Sequence, residues 1–80
     1  MWYVYLLRSE DADSQRYVGM TGDLRRRLAE HNAGKSAHTS KFAPWRIETY
    51  LAFSDKNKAA AFERYLKSGS GHAFANKRLW

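Results

Sequence analysis

Six apolar residues in succession, Trp2 to Leu7, stand near the start of the chain and end at Arg8. Aromatic and β-branched side chains of this kind suit a pleated strand. The run does not alternate with polar residues, so it reads as a central strand, covered by what packs around it. It is too short to span a membrane. It also has neither a basic leader nor a small-residue cleavage site, so it is core rather than signal. Such a strand needs neighbours. The polar connection Ser9–Gln15 followed by Arg16–Gly19 supplies one, as the second arm of an antiparallel hairpin. Trp45–Phe53 supplies another, with Ile47, Thr49, Leu51 and Phe53 on one face and Arg46, Glu48 and Tyr50 on the other.

Helical signals fill the gaps. Asp23 is placed to cap a helix that stops at Asn32-Ala33-Gly34. The polar, basic loop Ala33–Ala43 carries Lys35, His38, Thr39 and Lys41, and Pro44 closes it. Ser54 can cap a second helix running through Lys67, helped by the Ala59-Ala60-Ala61 run. Ser68-Gly69-Ser70-Gly71 is expected to end that helix, with a last short helix from His72 toward Trp80. The order β-β-α-β-α-α implies an α+β fold, a small three-stranded, mainly antiparallel sheet flanked by helices. It forms a single domain over residues 1–80.

Composition narrows the partners. The 80 residues include no cysteine, so disulfides and thiolate zinc sites are excluded and a reducing cytoplasm is the expected compartment. A formal charge of +6 and a pI near 9.9 point to a polyanionic partner, nucleic acid before anionic lipid.

Two helices break their own pattern. On the first, Leu24, Leu28 and His31 share a face with Arg27 at its margin, whereas Arg25 and Arg26 point away. On the second, Ala59, Phe62, Glu63 and Leu66 form one stripe, which turns a carboxylate toward the core. An unpaired buried carboxylate costs several kcal/mol, so Glu63 needs a partner, a cavity or a metal. One reading is a structural Arg27–Glu63 salt bridge. The other is a cleft with one acid and one fixed cation, suited to a phosphate and its metal. Tyr3 and Tyr5 share a strand face, and Tyr17 lies on the neighbouring strand. A tyrosine beside a cation can have its phenol pKa drawn down far enough to act as a base.

The tripeptides Tyr3-Val4-Tyr5 and Tyr17-Val18-Gly19, then Arg27, His31 and Glu63 within AFERYLK, resemble the GIY-YIG nuclease superfamily, in particular its small stand-alone members. Asn76 matches more loosely an asparagine that follows the family's glutamate. Tyr3 stands where the first motif usually has glycine, and valine replaces isoleucine in both motifs. The resemblance implies a metal-dependent phosphodiesterase acting on nucleic acid, DNA before RNA. In that reading Glu63 holds one Mg²⁺ or Mn²⁺ and Arg27 neutralises charge on the reacting phosphate. A phenolate at Tyr5 or Tyr17 takes the proton of the attacking water. His31 orients a tyrosine or water, and Asn76 braces Glu63. Gly19, at a tight strand exit, lets backbone approach the substrate, while Arg25, Arg26, Lys35, Lys41 and Lys56 contact phosphates. The alternative is a nucleic-acid-binding module that keeps the fold without turnover.

Other signals carry less. Glu10, Asp11 and Asp13 suggest a calcium loop, but Arg16 stands where that loop needs glycine. The Ser68–Gly71 stretch follows a helix rather than a strand and lacks the phosphate-loop pattern. The histidines have no zinc spacing.

Overall fold

The computed structural model describes residues 1–80. Strands β1 (Trp2–Ser9), β2 (Arg16–Thr21) and β3 (Trp45–Phe53) form one antiparallel sheet in the order β2-β1-β3. Helix α1 (Leu24–Asn32) follows β2, a short 3₁₀ turn (Ser40–Phe42) precedes β3, and helices α2 (Lys56–Leu66) and α3 (Gly69–Arg78) follow it. The apolar opening run is therefore the middle strand.

Its lack of alternation has a direct cause, because helices cover both faces. Val4 and Leu6 are fully buried in a cluster with Ala59 and Leu66 of α2 and Ala75 of α3. Tyr5 and Leu7, facing the other way, are buried with Trp45 against Leu24 and Leu28 of α1. Each fully buried side chain of this size stabilises the fold by about 1.5–3 kcal/mol. The strand at the centre of the sheet belongs to both clusters.

Four local expectations are corrected. First, β2 runs on to Thr21, so Gly19 lies within the strand instead of at its exit. Second, Ile47 does not share a face with Thr49. A bulge sets Thr49 opposite Leu6 but Ile47 opposite Leu7, leaving Glu48 as the extra residue. Ile47 consequently packs on the α1 side and Phe53 on the α2 side. Third, α2 is capped by Asp55, whose carboxylate accepts from the Asn57 N–H at 2.8 Å, and not by Ser54. Fourth, Ser68–Gly71 does not act as a tail to α2. It starts α3, with Ser68 as the cap, accepting from the Gly71 N–H at 3.2 Å while donating to the Tyr65 carbonyl at 2.6 Å. A side chain on Gly71 would overlap the Tyr65 carbonyl, so glycine is needed there for close helix approach rather than for flexibility.

The Asp23 cap stands, with its carboxylate accepting from the Arg26 N–H at 3.0 Å. At the far end Gly34, at φ 76°, turns the chain out of α1 through the left-handed region. Asn32 then reaches across to β3, where its amide both donates to the Trp45 carbonyl and accepts from the Trp45 N–H.

Candidate active site

Pairing of β1 with β2 sets Tyr5 opposite Gly19 and Leu7 opposite Tyr17. Because residues two apart share a strand face, Tyr5, Tyr17 and Gly19 all lie on the α1 side. The Tyr5 ring crosses directly over Gly19, where an added Cβ would overlap the phenol Oη and Cζ. Glycine thus gives Tyr5 room to extend over an edge strand toward the open rim of the sheet.

Helix α1 brings two groups to that phenol. Tyr5 Oη lies 3.0 Å from His31 Nε2, and Arg27 Nε donates to the same oxygen at 3.4 Å. His31, wholly buried, has its other nitrogen 2.7 Å from Thr39 Oγ1, and Thr39 is 1% exposed. The Thr39 carbonyl in turn accepts from the Trp45 indole at 2.8 Å. A chain of polar contacts therefore runs from Arg27 through Tyr5 and His31 to Thr39 and β3. Tyr17 packs its ring at 5.0 Å from the His31 ring and 6.3 Å from that of Tyr5. Arg27 keeps 34% of its side chain exposed, enough to meet an anion, while Glu30 Oε1 holds Nη1 at 3.0 Å.

The electrostatics follow from burial and from Arg27. Burial pushes the Tyr5 phenol pKa up, and this outweighs the downward pull of the Arg27 hydrogen bond; the charges of Tyr17 and Glu63 add to the rise. The expectation of a phenol drawn down by its cation is corrected for Tyr5, which is protonated at neutral pH. His31 is pushed below the usual imidazole value by burial and then by the Arg27 charge, so it is neutral. The guanidinium is held charged by its hydrogen bonds to Tyr5 and Glu30, and the Arg27 hydrogen bond lowers the Glu30 carboxyl in return. A neutral imidazole has one N–H and one lone pair, so two proton arrangements satisfy the chain. In one, Tyr5 donates to Nε2 and Nδ1–H donates to Thr39. In the other, Thr39 donates to Nδ1 and Nε2–H donates to Tyr5.

Glu63 approaches from the opposite face. Helix α2 packs under β1 and β2, and the carboxylate is near enough for its charge to reach the Tyr5 phenol. Its ion-pair partner is Lys67 at 3.3 Å, with no bond to Arg27. The structural Arg27–Glu63 bridge is thereby overturned: Arg27 pairs with Glu30 on its own helix. Asn76 does not brace Glu63 either. It is exposed, and its side-chain oxygen accepts from Arg16 at 2.9 Å. Arg25 is exposed on α1, Arg26 pairs with Glu30 at 3.4 Å, and Lys35 and Lys41 are exposed in the loop after α1. Lys56 rests over the Trp2 ring at 4.7 Å. Tyr3, the departure in the first motif, packs edge-on to Tyr50 at 5.9 Å.

Glu30 and Thr39 join this site without having been singled out from the sequence. Glu30 was findable, since it stands three residues after Arg27 on one helix. Thr39 sits in a polar loop with no periodicity, and only the fold carries it to His31.

A model of the GIY-YIG catalytic domain matches residues 1–77. The chain belongs to the GIY-YIG domain family, a nuclease superfamily. Among its relatives are two UPF0213 proteins. That of Lacticaseibacillus paracasei is 39% identical over 72 residues, 89% of this chain and 79% of that protein. That of Cupriavidus pinatubonensis is 41% identical over 63 residues, 78% of this chain and 68% of that protein. The solution NMR structure of a UPF0213 protein from Bacillus halodurans matches with a TM-score of 0.55 and 31% identity, covering 96% of this chain and 84% of that one. The α+β arrangement of a three-stranded antiparallel sheet with three helices is common to both.

Nucleases of this family generally use a divalent metal. No three His, Cys, Asp or Glu side chains converge anywhere in the molecule, so no all-protein cage exists. Mg²⁺ does not require one, since it commonly takes one or two carboxylates and completes its shell with water and substrate phosphates. Glu63 fits that role. Its carboxylate is held only by Lys67, whose side chain is 54% exposed, and such surface pairs are worth about 0–1 kcal/mol. A divalent ion can displace that lysine at little cost. No helix is long and apolar enough to cross a membrane.

Proposed function

We propose that these 80 residues act as one GIY-YIG-type domain that hydrolyses phosphodiester bonds in nucleic acid, DNA before RNA, with Mg²⁺ or Mn²⁺ on Glu63, in the cytoplasm. The observation that carries this reading is the Tyr5 oxygen, set between the His31 imidazole and the Arg27 guanidinium over Gly19.

Of the two tyrosines, Tyr5 is the better general base, because its oxygen alone is joined to an acceptor for its own proton. Tyr5 passes its proton to His31 Nε2 as it takes one from the attacking water, so no free phenolate has to exist beforehand. This requires the arrangement in which Nδ1–H is donated to Thr39. Arg27 then faces the phosphate with its charge fixed by Glu30, and its planar fork meets the charge that develops on the phosphoryl oxygens. Tyr17 covers His31 and keeps water from the imidazole. A divalent ion held by Glu63 and the substrate would supply Lewis-acid charge at the phosphate and at the leaving oxygen. Arg25, Arg26, Lys35 and Lys41 add sequence-independent backbone contacts that weaken as salt rises.

The test is cleavage of single-stranded, duplex, flap and junction DNA by the purified protein with Mg²⁺ or Mn²⁺. Loss of cleavage in Glu63→Gln and Arg27→Ala, with melting temperatures retained, is the expected result. Salt-dependent binding with no cleavage of any substrate would replace this reading with that of a binding module. Cleavage unchanged in both variants would remove the assigned roles.

A further inference from the structure

Beside the candidate site, on the outer side of β2, lies a cavity of about 620 Å³ that the proposed chemistry does not use. Its size falls in the range of about 300–1,000 Å³ that accommodates small organic ligands, and a duplex cannot enter it. The floor is apolar, formed by Val18 with Leu66 and Ala75, each of the latter two only 2% exposed. Trp80 contributes an aromatic wall, Tyr17 borders the cavity from β2 with its ring turned to the other face of the sheet, and Arg16, Lys67 and His72 stand among its polar lining. The lining contains no acidic side chain.

Arg16 is held in place before any ligand arrives. Its guanidinium lies 4.9 Å from the centre of a Trp80 ring and donates to Asn76 Oδ1 at 2.9 Å. A restrained guanidinium beside an aromatic ring, over an apolar floor, suits a flat aromatic group that carries an anion. A nucleobase with its phosphate has that chemistry. The cavity also shares two residues with the candidate active site. Tyr17 borders it from β2 while its ring packs on His31 across the sheet, and Lys67 lines it while pairing with Glu63.

We propose that this cavity receives one unpaired nucleotide of the bound strand, its base on the apolar floor of Val18, Leu66 and Ala75 beside Trp80 and its phosphate on Arg16, Lys67 and His72. The proposal rests on the reading of the chain as a protein acting on nucleic acid. It adds that the protein selects strands with an unpaired nucleotide next to the phosphate at Tyr5 and Glu63. Continuous duplex cannot fill the cavity without losing a base pair. Frayed ends, flaps and single strands can.

The experiment measures binding in EDTA, which separates it from catalysis. Fluorescence anisotropy is recorded for a dye-labelled single-stranded DNA oligonucleotide and for the blunt duplex of the same sequence, at one salt concentration. The single strand is expected to bind about tenfold more tightly, the scale of one base stacked on aromatic side chains. Trp80→Leu, which keeps an apolar side chain but removes the ring, should abolish most of that difference while leaving duplex affinity unchanged. Asn76→Ala, at an exposed position, frees Arg16 without touching the core and should narrow the difference about threefold, on the same scale. Circular dichroism melts confirm folding, and Asn76→Ala decides the matter if Trp80→Leu does not fold.

Equal binding of single strand and duplex by the wild type would overturn the proposal. So would variants that weaken both equally, since that indicates backbone contacts alone. Deoxyadenosine monophosphate competing as well as the oligonucleotide would make a free nucleotide the occupant and overturn the strand-selection part. The two readings fail separately. Single-strand preference without cleavage under Mg²⁺ or Mn²⁺ leaves the cavity standing and removes the nuclease. Cleavage of duplex and single strand alike, unaffected by either variant, does the reverse.

Discussion

Replacing Thr39 by valine removes one buried oxygen and leaves the shape of the side chain almost unchanged. Thr39 is 1% exposed and its Oγ1 lies 2.7 Å from His31 Nδ1, itself in a wholly buried ring. No water can replace the lost partner without opening the loop. A buried polar group left unpaired costs about 1–3 kcal/mol. One kcal/mol moves the melting midpoint of a protein this size by about 4–8 °C, so Thr39→Val should lower it by roughly 4–24 °C. Removal of the acceptor also frees the imidazole to carry its proton on Nε2, which then donates to Tyr5 instead of accepting from it. In the proposed mechanism this closes the route for the Tyr5 proton, and cleavage should fall by about 10²-fold, a typical general-base contribution. Thr39→Ser keeps the hydroxyl and should restore most of the rate. Ring ¹⁵N shifts report the tautomer directly, with Nδ1–H expected in the wild type and Nε2–H in Thr39→Val. An Nε2–H tautomer in the wild type would refute the relay whatever the activity. A valine variant with wild-type stability and rate would refute the importance of the contact itself.

Three further outcomes follow from the same geometry. Gly19→Ala places a methyl group where the Tyr5 phenol lies, so Tyr5 must move; urea unfolding should show a loss of about 1–3 kcal/mol, and cleavage should fall well beyond what instability explains. Glu30→Gln releases the Arg27 guanidinium from its carboxylate, and steady-state kinetics should show a higher KM for nucleic acid with the melting temperature little changed. The depressed pKa of His31 makes stability depend on pH: below the ordinary imidazole value the unfolded chain takes up a proton that the folded one resists, so stability is present near neutrality and declines as pH falls from about 6.5 toward the folded pKa. Unfolding curves across that window, with His31→Gln losing the His31 share of the slope, provide the check.

What the sequence disclosed depended on periodicity. The unbroken apolar run Trp2–Leu7 marked the central strand because strand burial on two faces leaves no room for alternation. Helical spacing turned Arg27, His31 and Glu63 inward, and the structure places all three at buried or half-buried positions. The partners of these residues were harder to read. A strip of positions on a wheel shows which way Arg27 points but not whether it meets Glu63, two elements away, or Glu30, one turn along. The glycines illustrate the same limit. Gly19 and Gly71 looked like a strand exit and part of a helix stop, yet both are there because another group passes too close for a side chain. That is a property of packing between segments, invisible in either segment alone.

The Asn32 clamp on Trp45 bears on how this protein can change its length. With both ends of residues 33–44 tied by one side chain, the loop between them is already closed in the folded state. Closure entropy grows slowly, by about 0.6 kcal/mol for each doubling of a loop. Residues inserted at Lys35, ahead of the Ser36 carbonyl that accepts from the Thr39 and Ser40 N–H groups, should therefore be accommodated with little loss of stability. Insertions between Thr39 and Trp45 meet a different constraint, because the Trp45 indole grips the Thr39 carbonyl and fixes the spacing that holds Oγ1 on His31. The first half of the loop can be extended for new substrates, while the second half is a ruler.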